Sequence, residues 1–364
     1  MGISLFTGDQ LGSDRQLLFT LRVCSLLDSD STMKTALVVF NPLAGMRWRC
    51  RDSELHALLS SLTRAGVNTI TTTTRGPGHL PDALFDGLAD FDTVLACGGD
   101  GTVNEVLRAL MANGREASLG IVPFGSGNLL ARDLGVRRSV ELLVEGLIHS
   151  APQSCSVGCI ERTADGYRRY WLAAVGVGAD ARVICELSPS AKARFGIAAY
   201  YAESARQLIF SREPFPLFCA QFEDLSSGET RTEIVAQVVA ERIGYFGHFL
   251  EPKGPALLPA DQLRVVLFKT ARRTAFLNYG LQLVASQVFG NSSQARLSDI
   301  EVVRTRELRC HPAEAASIAT QRVHGSSKSL AEVDGELFGE LPVRVFLVPR
   351  QVTILRPSLR RPVS

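Results

Sequence analysis

The segment Cys97-Gly98-Gly99-Asp100-Gly101-Thr102-Val103-Asn104-Glu105 constrains this chain more than any other. It follows an apolar run, Thr93 to Cys97, that reads as a strand, and it opens Val103 to Ala112, which reads as a helix. Glycines at 98, 99 and 101 remove side chains at the bend, so backbone N–H groups can approach phosphate oxygens. The helix that starts near Thr102 adds the positive end of its dipole. A carboxylate at Asp100 cannot itself attract a polyphosphate, so its presence implies magnesium, or magnesium's water shell, between it and the nucleotide. Read without its surroundings, the same segment is also explained as a tight strand-to-helix turn with Thr102 as cap.

The surroundings decide between these readings. Short β-branched runs at Ala36–Phe40, Val67–Thr73, Thr93–Cys97 and Leu119–Val122 alternate with helical stretches at Ser53–Ala65, Leu80–Ala89, Val103–Ala112 and Val140–His149. That alternation predicts a parallel sheet covered by helices. A second glycine turn, Pro123-Phe124-Gly125-Ser126-Gly127-Asn128, ends the neighbouring strand. Both turns then fall at the carboxyl ends of adjacent strands, where ligands bind in such sheets. Asn41-Pro42-Leu43-Ala44-Gly45 ends the first strand in the same way, and Thr71 to Thr74 end the second.

After Pro152 the pattern becomes antiparallel β. Cys155–Arg162 and Tyr167–Val175 suggest a hairpin, and Ala179–Leu187 and Ala193–Phe210 read as helices. Further strands are predicted at Phe215–Glu223, Thr230–Glu241, Leu263–Lys269, Ile300–Arg306 and Leu341–Val348, with His311–Lys328 as a polar excursion. The expected division is an N-terminal extension over 1–33, an α/β nucleotide domain over 34–150 completed by 344–357, and a mainly β domain over 151–343. Met33 with Lys34 reads as a natural start of the fold, and the 32 residues before it as a mobile extension.

Several classes are excluded. With 46% hydrophobic and 21% charged residues the chain can fill its cores, and a formal charge of +2 gives no electrostatic footprint for nucleic acid. Its eight cysteines show no second pair to complete a zinc site with Cys155 and Cys159, so they read as reduced core thiols. Charges at Asp9, Asp14, Arg15 and Arg22 interrupt the N-terminal apolar residues too often for a signal or a membrane span. No Gly-Lys-Ser/Thr loop, Gly-x-Gly-x-x-Gly turn at 98–103, or Gly-x-Ser-x-Gly elbow is present.

Taken together, the motifs resemble those of the diacylglycerol kinase catalytic-domain family, the bacterial lipid kinases related to sphingosine and ceramide kinases. The likeness runs from about Thr35 to Pro357. Its motifs are Asn41-Pro42-x-x-Gly45, Thr74 with Gly78-His79, Gly98-Gly99-Asp100-Gly101-Thr102-x-Asn104-Glu105 and Pro123-x-Gly125-Ser126-Gly127-Asn128. Further on come Gly176-x-Gly178-x-Asp180, Lys192 with Gly196 and Ala199-Tyr200, and Asp334-Gly335-Glu336 followed by Pro342.

The resemblance implies a fold similar to that of NAD kinases: a Rossmann-like α/β domain and a β-sandwich domain with a cleft between them. It implies that ATP and Mg2+ are used to phosphorylate the hydroxyl of a lipid such as diacylglycerol or a sphingosine-like alcohol. Asn41, Pro42, Gly45, Thr74, Gly98, Gly99, Asp100, Gly101, Thr102, Asn104, Glu105, Gly125, Ser126 and Asn128 would hold the nucleotide. Glu336 would accept the proton, and Asp100, Asp334 and, more weakly, Asp261 would hold metal.

Taken alone, Asp334-Gly335-Glu336 reads as a hairpin turn. The sequence departs from the family at Leu129 and Leu130, at Ala173 and at Asp261-Gln262. A kinase of this kind would be cytoplasmic and peripheral to the membrane. Arg47, Trp48, Arg49 and Arg51, or Arg272 and Arg273 before Phe276 and Leu277, are the candidate contacts, and His248 and Phe249 are candidates for an acyl pocket. A homodimer stays open as the assembly. So do two other functions, a soluble-substrate kinase of the NAD kinase type and a catalytically silent lipid-binding regulator.

Overall fold

Hydrophobic strands joined through helices produce a parallel sheet only when both of its faces are covered, and the first third of the chain does this. The computed structural model describes residues 33–45, 51–76, 90–113, 117–136, 139–188, 190–191, 195–211, 215–244, 261–289, 298–313 and 329–357. Strands β1 (Thr35–Phe40), β2 (Asn68–Thr73), β3 (Thr93–Gly98) and β4 (Ser118–Pro123) lie parallel in the order β2-β1-β3-β4. Helices Arg51–Arg64 and Val140–Ile148 cover one face through Leu58, Leu62, Leu143 and Leu147. Helix Asp100–Asn113 covers the other through Val103, Val106, Leu107 and Leu110.

The last strand, Val343–Arg356, ties this sheet to the rest of the molecule. Ile354 pairs in parallel with Leu119, while Val343 to Phe346 pair antiparallel with Glu307–Cys310. A long partner, Ala151–Arg162, runs alongside it from Arg356 back to Val343. One ten-stranded sheet therefore passes from the α/β half into the mainly β half. Gly158 of that partner lies opposite Trp171, and a Cβ there would come within 2.3 Å of the indole, so glycine is what lets the fully buried Trp171 pack flat.

A second sheet of six antiparallel strands packs on the extension of the first, with Trp171, Phe218, Phe222, Val238 and Val265 in the core between them. Its outer face carries two helices, Ile197–Phe210 through Leu208 and Arg273–Phe289 through Phe276, Tyr279 and Leu283. The α/β plus β architecture is the one expected from the sequence.

Two predicted strands divide where the chain changes sheet. Tyr167–Val175 becomes Arg168–Trp171 in the large sheet and Ala174–Gly178 in the small one. Thr230–Glu241 likewise becomes Glu229–Val235 and Gln237–Glu241, broken at Ala236. Ala236 leaves the ladder to accept the N–H of Ala179 at 3.3 Å and to donate to Phe268 at 2.9 Å. The predicted helix Leu80–Ala89 lies outside the described residues, as do the N-terminal extension, Gly78, His79, Lys192, the Arg47–Arg49 cluster and the pair His248-Phe249. No helix among the described residues is long and apolar enough to cross a membrane.

Candidate active site

The two glycine turns meet because both lack side chains. A Cβ on Gly125 would lie 2.4 Å from the Cα of Gly99, so only paired glycines permit this approach. The carbonyl of Gly98 accepts the N–H groups of Phe124 and Gly125 at 2.9 and 3.1 Å, which locks one turn onto the other. Asn128, in a left-handed conformation with φ 50°, closes the second turn. Its amide oxygen accepts the Gly125 N–H at 3.0 Å, and its amide nitrogen donates to the Gly125 carbonyl at 2.7 Å. With both amide ends engaged, Asn128 shapes the loop and does not reach the cleft. Asn41 joins the third loop to the first, donating to the Thr102 hydroxyl at 3.1 Å and accepting the Leu43 N–H at 3.0 Å.

Asp334 and Gly335 form the two-residue loop between strands Leu330–Val333 and Glu336–Glu340. Both have positive φ, 49° and 81°, the backbone that an Asp-Gly hairpin favours. The hairpin turn and the Asp334-Gly335-Glu336 motif are thus one object. Glu332, just before the loop, accepts the Gly335 N–H at 2.7 Å and fixes it from within. Burial, together with neighbouring Asp180, pushes Glu332 well above the ordinary carboxylate range.

From this turn the Asp334 carboxylate crosses the cleft. It accepts Asn104 Nδ2 at 2.7 Å and the N–H groups of Ala173 and Ala174 at 3.2 and 3.0 Å. Asn104 also donates to the Tyr170 carbonyl at 3.0 Å, so it braces the two halves of the molecule. The neighbouring Glu336 has Oε2 paired with Arg169 at 2.9 Å, and its Oε1 lies 3.5 Å from where a Cβ on Gly101 would stand. One oxygen is held by an arginine and the other faces the glycine turn.

Asp100 points away from this pair. Its carboxylate accepts the backbone N–H groups of Asn128, Leu129 and Leu130, capping the short helix Leu129–Asp133, for which Asn128 supplies no side-chain cap. Burial nevertheless raises its pKa. These contacts bear on the metal expected from the sequence. Asp100 is engaged by backbone amides, Asp334 by Asn104 and two amides, and Glu336 by Arg169. Among the described residues no group of three or more His, Cys, Asp or Glu converges. Asp261 lies apart from the cleft, highly exposed and facing Arg306 at 3.4 Å. This donor set does not suit a resident magnesium ion, because Asp100, Asp334 and Glu336 already have protein donors.

One cavity of about 480 Å3 collects the pieces. At one end lie Asn41, Gly45, Gly99 to Thr102, Glu105, Gly125 and Ser126, with Asp334 and Glu336 beside them. The other end is walled by Ile184, Leu187, Val239, Tyr279 and Leu283, with the buried polar side chains of Asp180, Gln237 and Glu332 also on the lining. Leu129 lines the cavity, while Leu130 turns into the core. Pro42, Thr74 and Gly98 sit behind the loops. The Thr74 hydroxyl is buried without a hydrogen-bond partner among the described residues.

Arg169, Glu332 and the apolar wall escape sequence reasoning. Arg169 lies in a run of polar and aromatic residues with no motif, and the wall draws its residues from three separate elements, helix Ala179–Glu186 with Leu187 at its end, strand Gln237–Glu241 and helix Arg273–Phe289. Spacing of acidic residues around Asp334-Gly335-Glu336 was the one available signal for Glu332.

Burial lifts the pKa of Asp334 to about 6, against the lowering effect of its amide and Asn104 donors. The folded protein therefore holds a proton there that the unfolded chain releases near 3.8. The resulting stability is present below that value and is lost as pH rises through about 6. Its size is on the order of 3 kcal/mol. Thermal unfolding of wild type and Asp334→Asn between these pH values should diverge, with the variant lacking this decline. Parallel curves would place the titration elsewhere.

Comparison with known proteins agrees with the geometry. Residues 35–160 match the family model described as the diacylglycerol kinase catalytic domain. A diacylglycerol kinase of Bacillus subtilis (strain 168) is 23% identical over 329 residues, 90% of this chain and 97% of that protein. One from Staphylococcus haemolyticus (strain JCSC1435) is 28% identical over 179 residues, which span 48% of this chain and 51% of that protein. Two crystal structures of the diacylglycerol kinase type from Bacillus anthracis str. Sterne superpose with TM-scores of 0.63 and 0.60, at 18% and 16% identity. Each covers 90% of this chain and 98% of its own, a likeness of fold. Through residues 35–160 this chain is similar to the diacylglycerol kinase catalytic-domain family, and the likeness supports a kinase that transfers phosphate to an alcohol group.

Proposed function

We propose that the protein transfers the γ-phosphate of ATP to the hydroxyl of a membrane lipid, with Glu336 as proton acceptor. The observation that carries this reading is the two-ended cavity: glycine turns suited to phosphates at one end, an apolar chamber at the other, and Glu336 at the phosphate end. In the reaction the lipid oxygen bonds to the γ-phosphorus, the bond from that phosphorus to the β,γ-bridging oxygen breaks, and ADP leaves. The hydroxyl proton passes to Glu336 Oε1, the oxygen that faces Gly101. Arg169 holds Oε2 and so fixes the carboxylate's orientation. Backbone N–H groups of Gly99 to Thr102 and of Ser126 and Gly127 would face the nucleotide phosphates, and Asp100 would hold the second turn through its helix cap. Any divalent ion would enter on the nucleotide as part of the substrate.

The acceptor's chains belong in the apolar chamber. Its dimensions and apolar wall favour a long-chain alcohol over the polar nucleotide that an NAD kinase phosphorylates. An intact Glu336 opposite the glycine turn has no purpose in a silent lipid carrier.

Filling the chamber tests this. Ile184→Trp should lower transfer to a long-chain diacylglycerol about tenfold or more, the scale of overpacking one apolar site, while leaving transfer to a short-chain acceptor and ATP affinity nearly unchanged. Equal loss on both acceptors would mean that the chamber does not take the chains.

A further inference from the structure

Helix Arg273–Phe289 is apolar on two sides. Phe276, Tyr279 and Leu283 face inward and are buried, and the last two wall the cavity. Leu277, Leu281 and Val284, spaced four and three residues apart, stand on the outside with 48%, 62% and 45% of their surface exposed. A helix with apolar residues on both faces and only one face covered needs a second apolar environment. Phe276, a membrane contact in the sequence reading, is buried instead, and its neighbour Leu277 faces out.

The companion helix Ile197–Phe210 repeats the arrangement. Tyr200 and Tyr201 line the cavity, while Ile209 and Phe210 project at 62% and 74% exposure. The two helices are joined where Arg273 donates to the Leu208 carbonyl at 3.3 Å, beside Ile209. Exposed Arg272 lies next to this junction, at the start of the bare stripe.

We propose that this bare face, Ile209 and Phe210 with Leu277, Leu281 and Val284, docks on a lipid bilayer carrying anionic headgroups. The inference rests on the lipid-kinase reading and gives that reading a surface. Continuity argues for a bilayer over other occupants: the helices that present the stripe outward also wall the chamber inward. An acceptor could leave the membrane between them without carrying its chains through water, where each exposed methylene adds to the cost. Arg272 at the edge complements anionic headgroups, as basic residues beside interfacial apolar ones do.

The test uses the full chain and phosphatidylcholine vesicles with and without phosphatidylglycerol, in the absence of ATP and of any acceptor lipid. Wild type should co-sediment, more strongly with phosphatidylglycerol present. Leu281→Glu and Phe210→Glu should each lose binding by about tenfold or more, as expected when an interfacial apolar contact is replaced by a charge. Because both side chains are exposed, thermal unfolding and ATP affinity should stay as in wild type. Vesicle binding equal to wild type in both variants would overturn the proposal. So would a wild-type dimer that Leu281→Glu converts to monomer with vesicle binding unchanged, since the face would then join two copies. Phosphate transfer to a short-chain soluble acceptor reads the kinase reaction separately: its absence in wild type would count against the lipid-kinase reading, whatever the vesicles show.

Discussion

Glu336→Gln is expected to reduce turnover by about a hundredfold or more, the scale of losing a positioned general base, while ATP affinity stays nearly unchanged. Glutamine keeps the size of the side chain and an oxygen for Arg169 to hold, but it cannot take a proton from the acceptor hydroxyl. The two glycine turns do not depend on this carboxylate, because Gly98, Gly125, Asn128 and Asp100 tie them together. The split between turnover and binding is therefore the informative quantity. Measured by equilibrium ATP binding beside steady-state transfer, a parallel fall in both would make Glu336 a structural residue of the hairpin.

Gly125→Ala should act on the other side of the reaction. The added methyl would meet Gly99 Cα at 2.4 Å and Asn128 Oδ1 at 2.6 Å. The first is backbone, and the second belongs to the amide that closes the turn, so neither can swing aside cheaply. Overpacking of this kind costs about 1–3 kcal/mol, and the two glycine turns must separate to accommodate it. ATP affinity should fall by roughly tenfold or more, with thermal unfolding measured in parallel to detect a general loss of stability. Unchanged affinity would show that the contact between the turns has no part in holding phosphate.

How much of this could be read in the sequence depends on whether a feature is local. The strand–turn–helix at Cys97–Asn104 was legible because the apolar run, the glycines and the helix are contiguous. The same holds for Pro123–Asn128 and for Asp334-Gly335-Glu336, where an Asp-Gly pair between apolar runs announces a two-residue loop. The breaks at Leu172-Ala173 and at Ala236 were not legible. The apolar pattern continues through both, and only the packing of two sheets requires the chain to change partner there. Helix Arg273–Phe289 escaped for a related reason: apolar residues on two faces blur the periodicity that marks a helix with one buried face. The site followed the same rule. Glu336 came with its turn, whereas Arg169, which orients it, lies 167 residues away and carries no motif.

The roles expected of Asp100, Asn104 and Asn128 also changed when their partners became visible. The family resemblance places each of them on the nucleotide. In the structure Asp100 caps the helix that follows the second glycine turn, Asn104 braces Asp334, and Asn128 closes its own loop. Residue type and position brought these three side chains to neighbouring turns of the fold. Direction of the side chain decided which part of it each residue builds.

The central claim is most directly tested by transfer of radiolabelled γ-phosphate from ATP, with magnesium, to a panel of lipid alcohols in mixed micelles, with NAD included and Glu336→Gln as control. Label is expected in a long-chain lipid alcohol, none in NAD, and loss of that label in the control. Label in NAD alone, or lipid labelling that persists in Glu336→Gln, would contradict that claim.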